Sequence, residues 1–239
     1  MRIRFLLIAT LFSLIFRLLR ADINSERLDF FYGIAEGNYM VGDLVGAEST
    51  IEQIFRVDPN YLPALGLGAK IMLDKGRPDL ALEFAERASK LDLKNFEYKL
   101  IRAAILGNLQ RHKEAVDLVN SVINEAPVGS KDASAAKQLL GILLIADGEW
   151  DNAADLFNDI YISDPADNRR RLQLMSEAYV EKARSALNAG DTDLVIEAME
   201  QAIAIYTDQG EKSSLFMLSA LRLTRARMLV QLGQVERAI

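Results

Sequence analysis

The amino-acid sequence predicts an all-α chain built as a solenoid of stacked helical hairpins. Three observations carry this expectation. Gly42 and Gly76 lie 34 residues apart, and Ala47, Ala81 and Ala115 repeat the same step. Apolar residues between these marks fall at helical spacing, and patterns stop at glycine, as at Gly42 and Gly148, or at Asp-Pro, as at Pro59 and Pro165. Half of the residues are hydrophobic, Ala and Leu abound, and there are only 5 prolines and 14 glycines. That mix favours helices over strands.

The first 21 residues, MRIRFLLIATLFSLIFRLLRA, stand apart. Arg2 and Arg4 precede an apolar run over residues 5–16, and Arg17 and Arg20 follow it. A short apolar core between positive flanks reads as a signal peptide. It falls short of the about 20 apolar residues that a spanning helix needs. Leu18 and Leu19 extend the run if Arg17 snorkels. Export to the periplasm or envelope is therefore expected, with an uncleaved inner-membrane anchor through residues 5–19 as the rival.

The repeat begins after this segment. Pro59, Leu93 and Pro127 keep the 34-residue step, as do Ile54, Ala88 and Val122. Residues 22–165 divide into four units of this kind. Each joins two amphipathic helices through a tight turn, as in LLGILLIADG followed by WDNAADLFNDIYI. One such hairpin cannot bury its apolar face alone, and stacking on neighbours does so. Gly148 and Ala153 resume the phase after four extra residues, Gly190 follows after 42 and Gly233 after 43. Residues 166–239 thus hold two longer hairpins, the last incomplete. Their extra residues precede the first helix, which is expected to be longer by up to two turns.

These marks resemble the tetratricopeptide repeat (TPR) family, as found in bacterial envelope proteins. Residues 134–165 carry Leu140-Gly141, Gly148, Trp150, Ala153, Phe157 and Pro165 at the family's positions. Residues 28–59 carry Phe31, Ile34-Ala35, Gly42, Leu44, Ala47, Ile51 and Pro59. Residues 62–93 carry Leu65, Gly68-Ala69, Gly76, Ala81, Ala85 and Ala88, with Pro78 for the aromatic residue and Leu93 for the closing proline. Residues 96–127 keep Ala103, Ala115, Val119, Val122 and Pro127, but Gln110 replaces the turn glycine. Val195 stands where the fifth unit should have a small residue. The resemblance implies a right-handed superhelical solenoid whose first helices line a concave groove for peptides or helices of partner proteins.

Composition excludes several functions. There is no cysteine, so thiolate chemistry and disulfides are absent, and one histidine cannot build a multi-histidine metal site. The net charge is −6; the four arginines before Asp22 leave 24 bases against 34 acids, or −10, for residues 22–239. Such a body repels phosphate backbones, which argues against nucleic acid as a partner. No cofactor motif is present.

The stretch ADGEWDNAADLF (146–157) sets Asp147, Glu149, Asp151 and Asp155 around the only tryptophan, Trp150. Paired carboxylates beside an aromatic ring suit glycoside cleavage. The repeat phase assigns them otherwise. Asp147 and Gly148 end one helix, Glu149 and Asp151 begin the next at its positive pole, and Asp155 falls on a solvated face. Trp150 shares a column with Leu44, Pro78 and His112, which packs the turn on the next hairpin. His112 is likewise read as a packing residue rather than a base, and Asn168 to Arg171 as a solvated helix face.

The implied groove positions are Tyr32, Glu36, Tyr39, Lys70, Leu73, Leu100, Ala104, Gln138, Ile142 and Ile145. The set is mostly apolar, which suits an amphipathic helix or apolar peptide. It also suits a core closed by the chain's own terminal helices. Some relatives clamp a partner's carboxylates with Lys, Asn and Arg here, and only Lys70 and Arg184 approach that pattern. The expected function is a non-catalytic interaction scaffold in the envelope. The alternative is the repeat portion of a larger enzyme or export protein whose functional domain lies beyond residue 239. Only six residues follow Gly233, so the helix over 213–232 is expected to expose an apolar face.

Overall fold

A computed structural model describes residues 25–161, 168–207 and 212–238. The apolar run over residues 5–16, with its signal or anchor reading, lies outside them. Among the described residues there are helices and no strand. None of these helices is long and apolar enough to cross a membrane.

The chain divides into two compact units between Gln110 and Arg111. The first holds α1 (residues 25–40), α2 (Leu44–Val57), α3 (Leu62–Asp74), α4 (Pro78–Leu91) and α5 (Phe96–Asn108). Helix α4 shows why these segments are helical. Pro78 opens it without a lost donor, Asp79 meets its positive pole and Lys90 its negative one. Ala81, Ala85 and Ala88 then form one buried stripe. Asp43 caps α2 through the Gly46 amide at 2.9 Å, and Asn95 caps α5 through the Glu97 amide at 3.0 Å. The core gathers Ala35, Ala47, Ile51, Ile54, Ala69, Ile71, Ala81 and Ala85.

The second unit holds α6 (His112–Glu125), α7 (Lys131–Ala146), α8 (Trp150–Tyr161), α9 (Asn168–Ala189), α10 (Thr192–Thr207) and α11 (Lys212–Gln231). A single 3-10 turn, Val235–Arg237, follows. Helices α9 and α11 run 22 and 20 residues against 13 for α3 and α5, so the inserted residues do lengthen the first helices of these hairpins. One core joins Ala153, Ala154 and Phe157 to Leu174 and Ala178, and another joins Val195, Met199 and Ala202 to Leu221 and Leu229. Val195 is fully buried, so it fills the small-residue column rather than leaving it. Phe216, Leu223 and Val230 recur every seven residues on α11 and are exposed.

The described hairpin turns that carry a glycine share one closure. The amide of Gly76 bonds to the Leu73 carbonyl at 2.9 Å, and that of Arg77 reaches back to Met72 at 2.8 Å. The same pair recurs at Gly42, Gly148, Gly190 and Gly233, each with φ between +73° and +81°. Such a cap needs one left-handed residue. Gln110 supplies it at the remaining turn with φ +62°. Ala47, Ala81, Ala115 and Ala153, the repeating alanines, are all fully buried. Gly141 marks a close approach: a Cβ there would meet Phe157 Cε1 at 2.4 Å.

Candidate functional site

The first unit forms a cleft of about 490 Å³ between α1, α3 and α5. Four of the expected groove residues, Tyr32, Glu36, Tyr39 and Lys70, line it. Tyr98, Glu97, Pro63 and Gly66 join them. A Cβ on Gly66 would lie 2.9 Å from Tyr98 Cε1, so the bare glycine makes room for that ring. The Tyr39 hydroxyl donates to Asp74 at 2.8 Å, and the Tyr61 hydroxyl donates to Asp29. Tyr61 stands edge-on to Tyr32, with centroids 6.3 Å apart.

Burial raises the phenol pKa values here. At Tyr32 burial acts first, then the charges of Glu36 and Glu97. At Tyr39 burial and then the bond to Asp74 push it up to about 12. Tyr61 rises further, from burial and then from Asp29. Leu73 packs against the core instead of the cleft, and Leu100 and Ala104 lie half-buried outside its lining.

The second unit forms a cleft of about 990 Å³ between α7, the start of α8, and α9. Ile142 and Ile145 line it beside Trp150, with Arg170, Glu177 and Arg184 on its α9 wall. Gln138 is half-buried on α7 and outside that lining. Of the α9 wall the sequence reading reaches only Arg184, because the other expected positions come from the four regular units. Lys70 lies 3.2 Å from Glu97, and Arg184 lies 2.7 Å from Glu181. Each cation that approached the carboxylate-clamp pattern is thus neutralised within its own unit.

Solved structures share this arrangement of helices. The protein is similar to PilW, described as a widely conserved type IV pilus biogenesis factor (TM-score 0.62, 18% identity, 88% of each chain). It is similar to a tetratricopeptide repeat protein from Parabacteroides merdae (TM-score 0.54, 19% identity, 88% of this chain and 89% of that one). It is also similar to YrrB, described as a TPR protein with an unusual peptide-binding site (TM-score 0.50, 16% identity, 79% and 90%). The chain has the tetratricopeptide repeat fold. Neither a protein-family model nor a curated protein sequence matches it.

Within this TPR fold the acidic stretch divides among structural tasks. Asp147 ends α7 and contacts His112 Nδ1, tying the start of α6 to the end of the next helix. Asp151 accepts both its bonds from the buried Lys182 of α9, at 3.1 and 3.2 Å. Glu149 accepts from the Asn152 amide at 2.8 Å, and Asp155 is exposed. The Trp150 ring lies 3.5 Å from the position of a Cβ on Gly148, covering the turn. Among the described residues no three His, Asp or Glu side chains converge as a metal site. On α9, Arg171 donates to Asn158 at 2.9 Å and Arg170 faces the cleft, so the basic run is divided between packing and groove.

Proposed function

We propose that this TPR chain is a non-catalytic scaffold that holds a peptide or helix of a partner protein in its concave clefts. The observation that carries the reading is the cleft of the first unit, where residues of three successive first helices converge with aromatic rings at their centre. Rigid aromatic anchors in a preformed concavity are what peptide recognition uses. The second cleft, with Trp150 on its wall, offers a further contact. YrrB, which shares the fold, is described as having a peptide-binding site.

We also propose that the chain works in the cell envelope. The Arg-flanked run over residues 5–16 supports export or membrane attachment, and PilW, described as a pilus biogenesis factor, has the same fold. The organisation proposed with it is four regular repeats over 22–165 and two longer hairpins over 166–239.

Photocrosslinking in cells tests the reading. A photoreactive residue at Tyr32 or Ile145 is expected to give discrete protein adducts, and one at the exposed Glu52 none. Equal adducts at all three positions, or none, refute groove binding. Fractionation of the same cells tests location: an uncleaved protein recovered soluble in the cytoplasm refutes the envelope reading.

A further inference from the structure

The cleft of the first unit sets tyrosine rings and carboxylates beside the apolar Met40, Pro63 and Leu67. Tyr32, Tyr39 and Tyr98 line it with Glu36 and Glu97, and Lys70 is the one cation among its described lining residues. Lys70 lies 3.2 Å from Glu97, which leaves the other carboxylate uncompensated. Among the described residues Glu36 is paired with no cation, and the Tyr32 hydroxyl donates to it at 3.5 Å. Asp74 and Asp29 hold the hydroxyls of Tyr39 and Tyr61, adding two more negative charges around the rings. The face of a tyrosine ring is itself negative and attracts cations.

Other occupants fit worse. An acidic peptide would meet Glu36 and Glu97 as like charges. An apolar one would bury Glu36 with no cation beside it, and a buried charge without a counter-charge is costly. A phosphate-bearing ligand is repelled by the same carboxylates and by the −10 charge of residues 22–239.

Resting on the reading of this cleft as a peptide groove, we infer that it takes a cationic side chain, arginine or lysine, of a protein partner. The aliphatic stem lies among the tyrosines and the charged head meets Glu36. Arginine is the better fit, because its planar head stacks on rings and pairs with a carboxylate through two bonds.

Selection of a random short-peptide display library on the full chain tests this. Expected are sequences enriched in arginine or lysine at one position. The enrichment is lost on the Glu36→Gln and Tyr98→Ala variants and kept on Glu52→Gln, with unchanged helix content by circular dichroism in all three. Replacing that basic residue by norleucine in a selected peptide should weaken binding about tenfold by fluorescence anisotropy. Peptides enriched without a basic residue overturn the inference and leave the groove reading standing. Basic peptides whose binding ignores Glu36→Gln and Tyr98→Ala show only attraction to an acidic body, and also overturn it. No enrichment over an unrelated helical protein overturns both readings.

Discussion

One substitution, glycine to alanine, should have opposite signs at two helical positions. At Gly141 on α7 the added Cβ would lie 2.4 Å from both Cε1 and Cζ of Phe157. A relaxed carbon pair sits at about 3.5–4.0 Å. Phe157 is fully buried among Ala153, Ala154, Leu174 and Ala178, so its ring cannot swing into solvent. Overpacking of this kind costs about 1–3 kcal/mol. Alanine regains about 0.8–1.0 kcal/mol of helix propensity. With so deep an overlap the contact wins, and the hairpin of α7 and α8 should lose about 1–2 kcal/mol. At Gly37 on α1 an added Cβ meets nothing within 4 Å. Only the propensity acts there, so Gly37→Ala should stabilise α1 by about 0.5–1 kcal/mol. The propensity is common to both sites, so their difference isolates the packing contact. Native-state hydrogen exchange is the assay, because stacked repeats need not unfold in one step and each hairpin must be read by itself. A Phe157→Leu background should shrink the Gly141 penalty by removing the ring edge. If Gly141→Ala raises protection in α7 and α8 as Gly37→Ala does in α1, the close approach is not real.

Three further outcomes are expected. Gln110→Gly should stabilise α5 by about 1 kcal/mol in hydrogen exchange, because a side chain at φ +62° bears the left-handed cost that glycine avoids. Ala153→Leu and Ala81→Leu should each lower stability by about 1–3 kcal/mol in urea titrations, since both positions are fully buried at helix contacts. Glu48 is held below the usual carboxylate range, first by its bond from Lys75 and also by the charges of Lys75 and Arg77, against the opposing pull of burial. A lowered folded-state pKa gives stability that is full above the unfolded value and lost as pH falls through the folded one. Glu48→Gln should therefore cost about 0.5–1 kcal/mol at neutral pH, the pair being screened by solvent, and progressively less under acid, and a cost independent of pH would refute the pairing.

The hairpins were legible because their marks are backbone demands. A left-handed turn calls for glycine at Gly42, Gly76 and Gly148, and a close helix contact calls for alanine at Ala81 and Ala153. Sequence spacing reads both directly. Gln110 showed as a break in the pattern, although the turn keeps the same geometry. The cleft was only half legible. Spacing places Tyr32, Glu36, Tyr39 and Lys70 on one face, but Leu73 lies about one helical step off and, half-buried, packs against the core outside the cleft lining. Tyr98 was missed. Its signal was Gly66, a glycine in mid-helix that no turn requires. Nor could spacing pair Asp151 with Lys182, because that bond depends on where the longer α9 crosses α8.

Among the described helices from α2 onward, helix–helix contacts within each unit join neighbours in sequence, apart from α3 with α5. The chain segment to be closed before any such contact forms is therefore about one hairpin long, however many hairpins follow. Loop-closure entropy grows only with the loop, and folding rate follows the mean sequence separation of contacts more than chain length. Within each unit this protein should thus fold on the timescale of a small helical bundle. For the same reason an extra hairpin spliced in phase after the Asp58-Pro59 turn should be accepted, lengthening the array without slowing the formation of the hairpins already there.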